Sequence, residues 1–382
     1  MNRPFLCLRT LRPVNHRWSI SVKNNLWSHP KNHKKKMIVA GHPFRGYIKH
    51  IAAGFDTCGL KSIALEWDEP ERGNLEMIRR FVSGKYNQHR YREADISNSH
   101  TLEESVLRIE PDYVLVLNGT SLTDRTLKFC RKLGTRLIFW AYDSPIHLNW
   151  IAEAAMGFDL IYTYEPEDFA TLSKAGAVRF LPVAHDPSIY HPIADSHEEV
   201  DLCFVGSLRN YVPERRRLVR LIADKFRDRT IEVWTDGGRW YSPYRFRTNM
   251  ISRGRENLRL MMGAVDHPKI NELYNRSRIC LNIHNPQSRK AVNPRSFEIL
   301  GSGRFLLTDK NMKDIESLRQ GRDYEFYSSD HDLLDKIRYF LENDKERVRI
   351  AESGHQTTAI KHTYARRAQT ILDDASVTNR TP

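Results

Sequence analysis

The fold of this chain is decided most clearly by residues 279–307, which read ICLNIHNPQSRKAVNPRSFEILGSGRFLL. Apolar runs over Ile279–Ile283 and Arg304–Leu307 predict two strands, and the segment between them predicts a helix over Pro294–Leu300. Asn293 is a typical N-cap residue, and the proline that follows it suits the first helical position. A strand, a helix and a second strand in this order indicate a parallel α/β sheet.

The same alternation of strand and helix extends along most of the chain. Further strands are predicted by short apolar runs at Met37–Ala40, Ser62–Leu65, Tyr113–Leu117, Leu137–Trp140, Leu160–Tyr162, Val178–Leu181, Val200–Val205 and Thr230–Trp234. Segments with helical periodicity separate most of these runs, at Tyr47–Phe55, Thr123–Leu133, Glu165–Lys174, Pro213–Phe226, Pro268–Arg276 and Asp332–Glu342. Apolar strands joined by helices are typical of a sheet that helices cover on both faces.

A linker divides this alternation into two parts. Residues 182–199 contain three prolines and show little periodicity, and the alternation restarts at residue 200. We therefore predict an α/β protein of two Rossmann-like, doubly wound domains that face a cleft, over residues 37–190 and 200–345. Ligands of open α/β sheets bind at the carboxyl ends of the strands, so the loops that follow strands are the first places to search for a site.

The basic balance of the chain is concentrated at its amino end. The chain carries 60 Lys+Arg and 47 Asp+Glu, a formal net charge of +13, and residues 1–36 hold nine of the basic side chains and no acidic one. The rest of the chain is nearly neutral, so its charge does not favour a nucleic acid partner. Residues 1–36 are interpreted either as a targeting or anion-binding tail or as a disordered, dispensable extension before a start at Met37.

The sequence shows no pattern typical of a membrane span, a metal site or a disulfide framework. The longest apolar runs are strand-length and fall short of the roughly 20 residues that span a membrane. Five cysteines are scattered without a C-x-x-C pair, which favours a reducing, cytoplasmic location. No H-E-x-x-H, EF-hand or G-x-S-x-G motif occurs, and the turn Gly41–Gly46 is neither G-x-G-x-x-G nor a Walker A loop. We therefore expect no bound metal and no cofactor.

The predicted helix start at Asn293 is the leading candidate for a binding site. It follows the strand that ends at His284, and backbone N–H groups at a helix N-terminus can hold a phosphate. Arg295 offers such a group a bidentate, charge-assisted contact, and Glu298 could accept hydrogen bonds from sugar hydroxyls. An ordinary capped helix with an Arg295–Glu298 pair explains the same residues equally well.

Three other strand-exit residues have both a functional and a structural interpretation. Arg209 is placed to bind a phosphate, or belongs to a solvated helix face with Arg215–Arg217. Asp143 can act as a general base, or as an N-cap or Asx-turn residue before Pro145. His42 lies in the first strand-exit turn, whose glycines are most simply structural.

Residues 237–259 combine six arginines with four aromatic side chains. This composition is typical of a groove for single-stranded nucleic acid. It is equally typical of a loop that holds an anionic or sugar ligand, because aromatic faces stack on sugar rings. The nearly neutral body of the protein makes nucleic acid the less expected of the two partners.

Several stretches taken together resemble the CgeB-like glycosyltransferases of the spore-maturation type. They are Pro268–His284, Asn293–Asp309, Ile350–Gly354 and His362–Arg366, with looser agreement at Trp140–Pro145 and Leu181–Pro187. The resemblance covers roughly residues 37–374 and implies a GT-B fold, with a nucleotide-sugar donor held mainly by the second domain and an acceptor by the first. It also implies that a long helical stretch over Asp344–Leu372 ends by crossing back, so that residues 346–374 pack on the first domain.

Carried over by position, the resemblance implies that Asn293, Arg295 and Glu298 contact the donor, with Arg209 and His284 nearby. Enzymes of this kind generally need no bound metal. Basic residues and helix N-termini stabilise the departing diphosphate instead, as they do other developing anions.

The stereochemical course of the reaction stays open at this point. Glu298 resembles the second Glu in the two-Glu signature of many retaining GT-B enzymes, but Lys290 stands where that signature has its first Glu. If the enzyme inverts, a base must remove the acceptor proton. Asp143 is the first candidate for that base and His42 the second.

The hypothesis from the sequence is a metal-independent glycosyltransferase that uses a nucleotide-diphosphate sugar. Its acceptor is unidentified and could be a protein, a polysaccharide, a lipid or a small molecule. The alternative is a catalytically silent GT-B-like protein that binds a sugar nucleotide in coat or envelope assembly.

Overall fold

The computed structural model of the chain describes most of the two predicted domains. The described residues are 34–43, 46–67, 88–117, 122–145, 150–209, 212–236, 243–263, 266–285, 288, 290–310, 312–313, 315 and 317–377. The predicted amino-terminal extension, apart from its last three residues, lies outside them. So does the first part of the arginine-rich and aromatic segment, residues 237–242.

The first half of the chain forms a six-stranded parallel sheet in the order β2-β1-β3-β4-β5-β6. Its strands are β1 Lys36–Gly41, β2 Lys61–Glu66, β3 Tyr113–Leu117, β4 Arg136–Ala141, β5 Leu160–Thr163 and β6 Val178–Phe180. The helices are α1 Tyr47–Thr57, α2 Gln88–Ile109, α3 Asp124–Lys132, α4 Trp150–Ala154 and α5 Phe169–Leu172. Buried apolar side chains cover both faces of this sheet, as the apolar strands predicted.

The second half forms another six-stranded parallel sheet, in the order β12-β11-β10-β7-β8-β9. Its strands are β7 Val200–Val205, β8 Ile231–Thr235, β9 Leu258–Met262, β10 Ser277–Asn282, β11 Phe305–Thr308 and β12 Glu325–Phe326. Its helices are α6 Pro213–Lys225, α7 Pro243–Ser252, α8 His267–Asn275, α9 Pro294–Gly301 and α10 Asp330–Glu342. Two apolar cores cover its two faces, so the prediction of two doubly wound domains is confirmed.

The carboxyl-terminal helical stretch is divided, and the prediction of one long stretch over Asp344–Leu372 was wrong. Helix α11, Asp344–Lys361, packs on the second sheet, and helix α12, Tyr364–Val377, packs on the first. The chain breaks between them because His185 pairs with this segment: its N–H donates to the His362 carbonyl at 3.2 Å, and its own carbonyl accepts from the N–H of Tyr364 at 3.0 Å. Only the last helix therefore crosses back to the first domain.

Helix α12 lies very close to α1 in the first domain. A Cβ atom built on Gly54 of α1 would lie 2.7 Å from the backbone carbon of Tyr364. The absence of a side chain at Gly54 therefore permits this close contact between the two helices, and the last helix becomes part of the first core.

The predicted helix over Glu165–Lys174 is a 3₁₀ turn, Pro166–Asp168, followed by the short helix α5. Glu165 itself stands before the turn and is fully buried. None of the helices that the structure describes has the length and apolar character required to cross a membrane.

Candidate functional site

Four strand exits of the second domain lie side by side at the carboxyl edge of its sheet. In the sheet order, β11, β10, β7 and β8 are neighbours, and all run parallel. Asp309 follows β11, His284 follows β10, Arg209 follows β7, and Asp236 follows β8. Helix α9 connects β10 to β11, so its N-terminus lies at the same edge. The predicted donor residues are therefore brought to one edge of one sheet.

The start of α9 has the cap that the sequence predicts. The Asn293 Oδ1 atom accepts from the backbone N–H of Arg295 at 3.1 Å, with Pro294 in the first turn. Asn282, at the end of β10, holds this cap in place by donating its amide N–H groups to Asn293 Oδ1 and Ser296 Oγ, both at 2.9 Å. Asn282 was not predicted, although an asparagine that ends an apolar strand is the signal that could have indicated it.

Arg295 and Glu298 form the ion pair that the structural interpretation of this helix predicted, but the pair is buried. Arg295 is 8% exposed and Glu298 is 1% exposed. Glu298 Oε2 accepts from Arg295, and Oε1 accepts from the Tyr47 hydroxyl of the first domain at 2.9 Å. The carboxylate of Glu298 therefore links α9 to α1 across the two domains.

His284 is held by Asp309. Its Nδ1 atom lies 2.6 Å from Asp309 Oδ1, and its backbone N–H donates to both carboxylate oxygens at 3.0 Å. Burial alone would raise the pKa of Asp309, but the charge of His284 and its hydrogen bonds outweigh burial and lower that pKa. His284 Nε2 is buried and has no hydrogen-bond partner among the residues that the structure describes.

Arg209 lies before α6, in the loop after β7, and forms an ion pair with Asp236. Its side chain is half exposed, so the guanidinium remains accessible from solvent. Arg209 precedes α6, and Arg215 on that helix is buried. The interpretation of Arg209 as part of a solvated helix face with Arg215 was therefore wrong. Arg215 is buried on α6 and donates to the carbonyls of Ile283 at 2.8 Å and Ser207 at 3.1 Å, which fixes the exits of β10 and β7.

Two first-domain candidates, His42 and Asp143, lie at the carboxyl edge of the first sheet, directly after β1 and two residues after β4. Both are half-buried. Burial raises the pKa of the Tyr142 hydroxyl, and the negative charges of Glu298 and Asp143 raise it further. Tyr142 thus lies close to Asp143, a candidate of the first domain, and to Glu298, a candidate of the second.

Glu165 forms a second link between the domains, which the sequence analysis did not predict. Its carboxylate accepts from the backbone N–H of Lys290 at 3.1 and 3.2 Å and from that of Ala291 at 3.2 Å. By the resemblance described above, Lys290 stands in place of the first Glu of the two-Glu signature of many retaining GT-B enzymes. A first-domain carboxylate therefore binds the backbone of this loop. The available signal was a glutamate between a strand and a proline.

Arg255, in the described part of the arginine-rich segment, lies away from the candidate site. Arg255 lies before the amino end of β9 and pairs with Asp224 at the end of α6, on the opposite edge of the sheet from Arg209. Strand β9 is the outermost strand of its sheet. The hypothesis that this segment holds an anionic ligand at the candidate site is therefore not supported by the position of Arg255.

The two-domain architecture matches that of several solved structures. The fold is GT-B. Sucrose-phosphate synthase from Thermosynechococcus elongatus aligns over 90% of this chain and 99% of its own, with a TM-score of 0.64 and 10% identity. HepE from Anabaena in complex with UDP-glucose aligns over 90% of this chain and 99% of its own, with a TM-score of 0.61 and 12% identity. An α,α-trehalose-phosphate synthase (UDP-forming) from Burkholderia xenovorans aligns over 89% of this chain and 99% of its own, with a TM-score of 0.62 and 12% identity.

Sequence comparison adds information about the second domain. Residues 214–373 match the family described as Glycosyl transferase-like. This match includes α6, the Asn293 cap, the Arg295–Glu298 pair and most of α12. No curated protein matches the chain in sequence. Within the described residues, no group of three or more His, Cys, Asp or Glu side chains is arranged to hold a metal ion.

Proposed function

We propose that this chain is a glycosyltransferase that takes a sugar from a nucleotide-diphosphate sugar and transfers it to a hydroxyl group of an acceptor. The observation that carries the proposal is the gathering of Arg209, His284 and the N-terminus of α9 on neighbouring strand exits of one sheet. The match to the Glycosyl transferase-like family over residues 214–373 supports it. The GT-B likeness to HepE, whose structures contain UDP or UDP-glucose, supports a uridine nucleotide as the first donor to test.

The proposed chemistry needs stabilisation of a leaving diphosphate. Arg209 supplies a full positive charge, and the N-terminus of α9 supplies the partial positive charge of the helix dipole. These groups lower the barrier because they favour the negative charge that develops on the departing oxygen. We propose no metal in this step. His284, oriented by Asp309, completes this anion site.

The remaining donor contacts are assigned to the Asn293 cap of α9 and to the Arg295–Glu298 ion pair on that helix. Asn293 and Arg295 are proposed to bind the donor, and Glu298 to accept from a ribose or sugar hydroxyl. A carboxylate has about four lone-pair sites and can accept from several hydroxyls at once. We infer a relationship to the CgeB-like glycosyltransferases from the same residues.

The acceptor is proposed to bind the first domain and to lose its proton there. Asp143 and His42 lie at the carboxyl edge of that sheet and are the bases that the sequence offers. The acceptor class stays open between protein, polysaccharide, lipid and small molecule. A cytoplasmic location is proposed because Cys58, Cys130, Cys203 and Cys280 are all free thiols, as is usual in a reducing compartment.

The experiment is a donor panel with matched variants. Purified protein is incubated with UDP-, GDP- and dTDP-sugars in the presence of EDTA, and thermal shift and donor hydrolysis are measured. One donor should raise the melting temperature and release its diphosphate. Arg209→Ala should weaken nucleotide binding about tenfold, whereas Arg253→Ala, an exposed arginine near the amino end of β9, should not. No shift and no hydrolysis with any donor would contradict the proposal.

One observation favours the second candidate, a catalytically silent sugar-nucleotide-binding protein. Lys290 replaces the first Glu of the family signature, and its backbone is held by Glu165 from the first domain. A protein of this kind would bind a donor without turning it over. Nucleotide binding in the panel, with no hydrolysis and no transfer to any acceptor offered, would select this function over the enzyme.

A further inference from the structure

A histidine–aspartate pair lies at the junction of the two domains. His50 Nδ1 on α1 lies 3.0 Å from Asp186 Oδ2 on the interdomain linker. The side chains are only 15% and 10% exposed. Neither residue was singled out from the sequence, because 136 positions separate them and the pairing depends on the way the linker passes α1.

Asp186 is fixed in place as an ionised acceptor. Its other oxygen, Oδ1, accepts from the backbone N–H of Ser188 at 2.9 Å and from the Ser188 hydroxyl at 2.7 Å. Burial acts to raise the pKa of Asp186, but hydrogen bonds from His50 and Ser188 outweigh it and hold the pKa below its ordinary value. An ionised carboxylate can only accept hydrogen bonds. His50 must therefore donate its proton from Nδ1, and its Nε2 atom is left with a lone pair when the ring is neutral.

The Nε2 atom faces the strand-exit turn at the start of α1. A Cβ atom built on Gly46 would lie 3.3 Å from His50 Nε2. Gly46 has a φ of +70°, a conformation that glycine adopts at no steric cost. Gly46, which caps the start of α1, therefore turns the chain and places no side chain of its own against Nε2.

The surroundings of His50 come from both domains. Its ring meets the edge of His267, at the start of α8, with 5.0 Å between centroids. Tyr47, one turn earlier on α1, contacts both rings and donates its hydroxyl to Glu298. The titratable groups that face His50 are thus Asp186 on the linker, His267 on α8 and Tyr47 on its own helix. A predicted donor residue lies one hydrogen bond beyond this cluster.

We propose that His50 is the general base of the transfer reaction and that Asp186 is its positioning residue, which rests on the function proposed above. His50 Nε2 takes the proton of the acceptor hydroxyl while the acceptor oxygen forms a bond to the anomeric carbon. The bond from that carbon to the diphosphate oxygen breaks, and its electron pair leaves with the diphosphate. The imidazolium that forms is stabilised by the Asp186 carboxylate. Attack of this kind inverts the anomeric configuration.

The first test separates chemistry from binding. With UDP-glucose as donor and water as acceptor, His50→Gln and Asp186→Asn should each lower turnover about 100-fold or more, while the Kd for UDP changes less than about threefold. The matched control is an exposed pair on α10, His331 and Asp335, with Nδ1 and Oδ2 2.8 Å apart. His331→Gln and Asp335→Asn should leave turnover and Kd unchanged.

The second test reads stereochemistry and tautomer directly. Proton NMR during hydrolysis of UDP-α-glucose should show β-glucose first, before mutarotation. Side-chain ¹⁵N spectra should show an Nδ1–H tautomer signal that disappears in His50→Gln and is converted towards Nε2–H in Asp186→Asn. If Asp186→Asn shifts the tautomer but leaves turnover unchanged, Asp186 has a merely structural role.

The outcomes separate this proposal from the one on which it rests. If the protein binds no nucleotide, the proposed function fails and the base fails with it. If wild-type protein hydrolyses the donor and His50→Gln does so at a similar rate, only the base is overturned. Release of α-glucose first, or loss of turnover in Asp143→Asn with normal His50→Gln, would also overturn it.

Discussion

Glu165 is the buried carboxylate that joins the first domain to the loop before α9, and Glu165→Ala is expected to destabilise the protein markedly. The substitution removes the acceptor of three backbone N–H groups: those of Lys290 and Ala291 across the domains, 3.1–3.2 Å from its oxygens, and that of Glu167 in its own turn at 3.3 Å. A hydrogen bond to a charged group contributes about 1.5–3 kcal/mol. The two donors across the domains alone, less the cost of burying the carboxylate that the variant no longer incurs, give a loss of about 2–4 kcal/mol.

The assay combines guanidinium denaturation with hydrogen exchange of the peptide that contains Lys290 and Ala291. A loss of this size should lower the melting temperature by about 4–8 °C and speed exchange of those two amides by at least about tenfold. Glu167→Ala is the matched control, because Glu167 pairs with the Lys290 ammonium at 3.5 Å on an exposed surface. Such a pair contributes at most about 1 kcal/mol. Equal, small losses in both variants, with unchanged amide exchange, would refute the reasoning.

Three further substitutions test other contacts. Tyr47→Phe removes the hydroxyl that donates to buried Glu298 at 2.9 Å and should cost about 1–3 kcal/mol in denaturant unfolding. Gly354→Ala places a Cβ atom 2.2 Å from the Asp323 carbonyl and should cost about 2 kcal/mol, although alanine normally favours a helix by about 1 kcal/mol. Burial lowers the pKa of His185 to about 4, although a hydrogen bond to a backbone carbonyl opposes the shift. As the pH falls, the histidine is therefore protonated in the unfolded state before it is protonated in the folded state. About 3 kcal/mol of stability should be lost between about pH 6.5 and pH 4.

Controls for these three predictions lie on the surface. Tyr339→Phe removes an exposed hydroxyl bound to Glu346 and should change stability by less than about 0.5 kcal/mol. Gly254→Ala has no atom within 4 Å of the new Cβ and should cost only the strain of its positive φ. His185→Asn should flatten the stability profile between pH 4 and 6.5; a profile as steep as that of the wild type would contradict the assignment to His185.

The strands could be predicted because burial on both faces leaves few polar residues in them. Tyr113–Leu117 and Val200–Val205 have the bounds that their apolar runs predict. Strands β9 and β12 were not predicted, because they are the two edge strands of the second sheet. In β9, the exposed positions Arg259 and Met261 alternate with buried or half-buried ones, so no continuous apolar run marks it.

Within the candidate site, local contacts were predictable and long-range ones were not. The Asn293 cap and the Arg295–Glu298 pair involve neighbours on one helix, so residue types and spacing were sufficient. The contact of Glu298 with Tyr47 joins residues 251 positions apart, and it depends on how the two domains meet.

Buried polar residues are the common feature of what the sequence did not reveal. Arg215 and Glu165 are charged residues that a sequence pattern places on the surface, yet each is buried against backbone groups of strand-exit loops. Their partners are N–H and C=O groups, which have no signature in the sequence. Such residues can be found only when the fold shows which backbone groups need a partner.

The most direct test of the account is a crystal structure of the protein grown with millimolar UDP. The account predicts the diphosphate at the carboxyl edge of the second sheet, within hydrogen-bond distance of the Arg209 guanidinium and the backbone N–H groups at the start of α9. UDP bound elsewhere, for example against the arginines near β9, or no bound UDP at all, would contradict it.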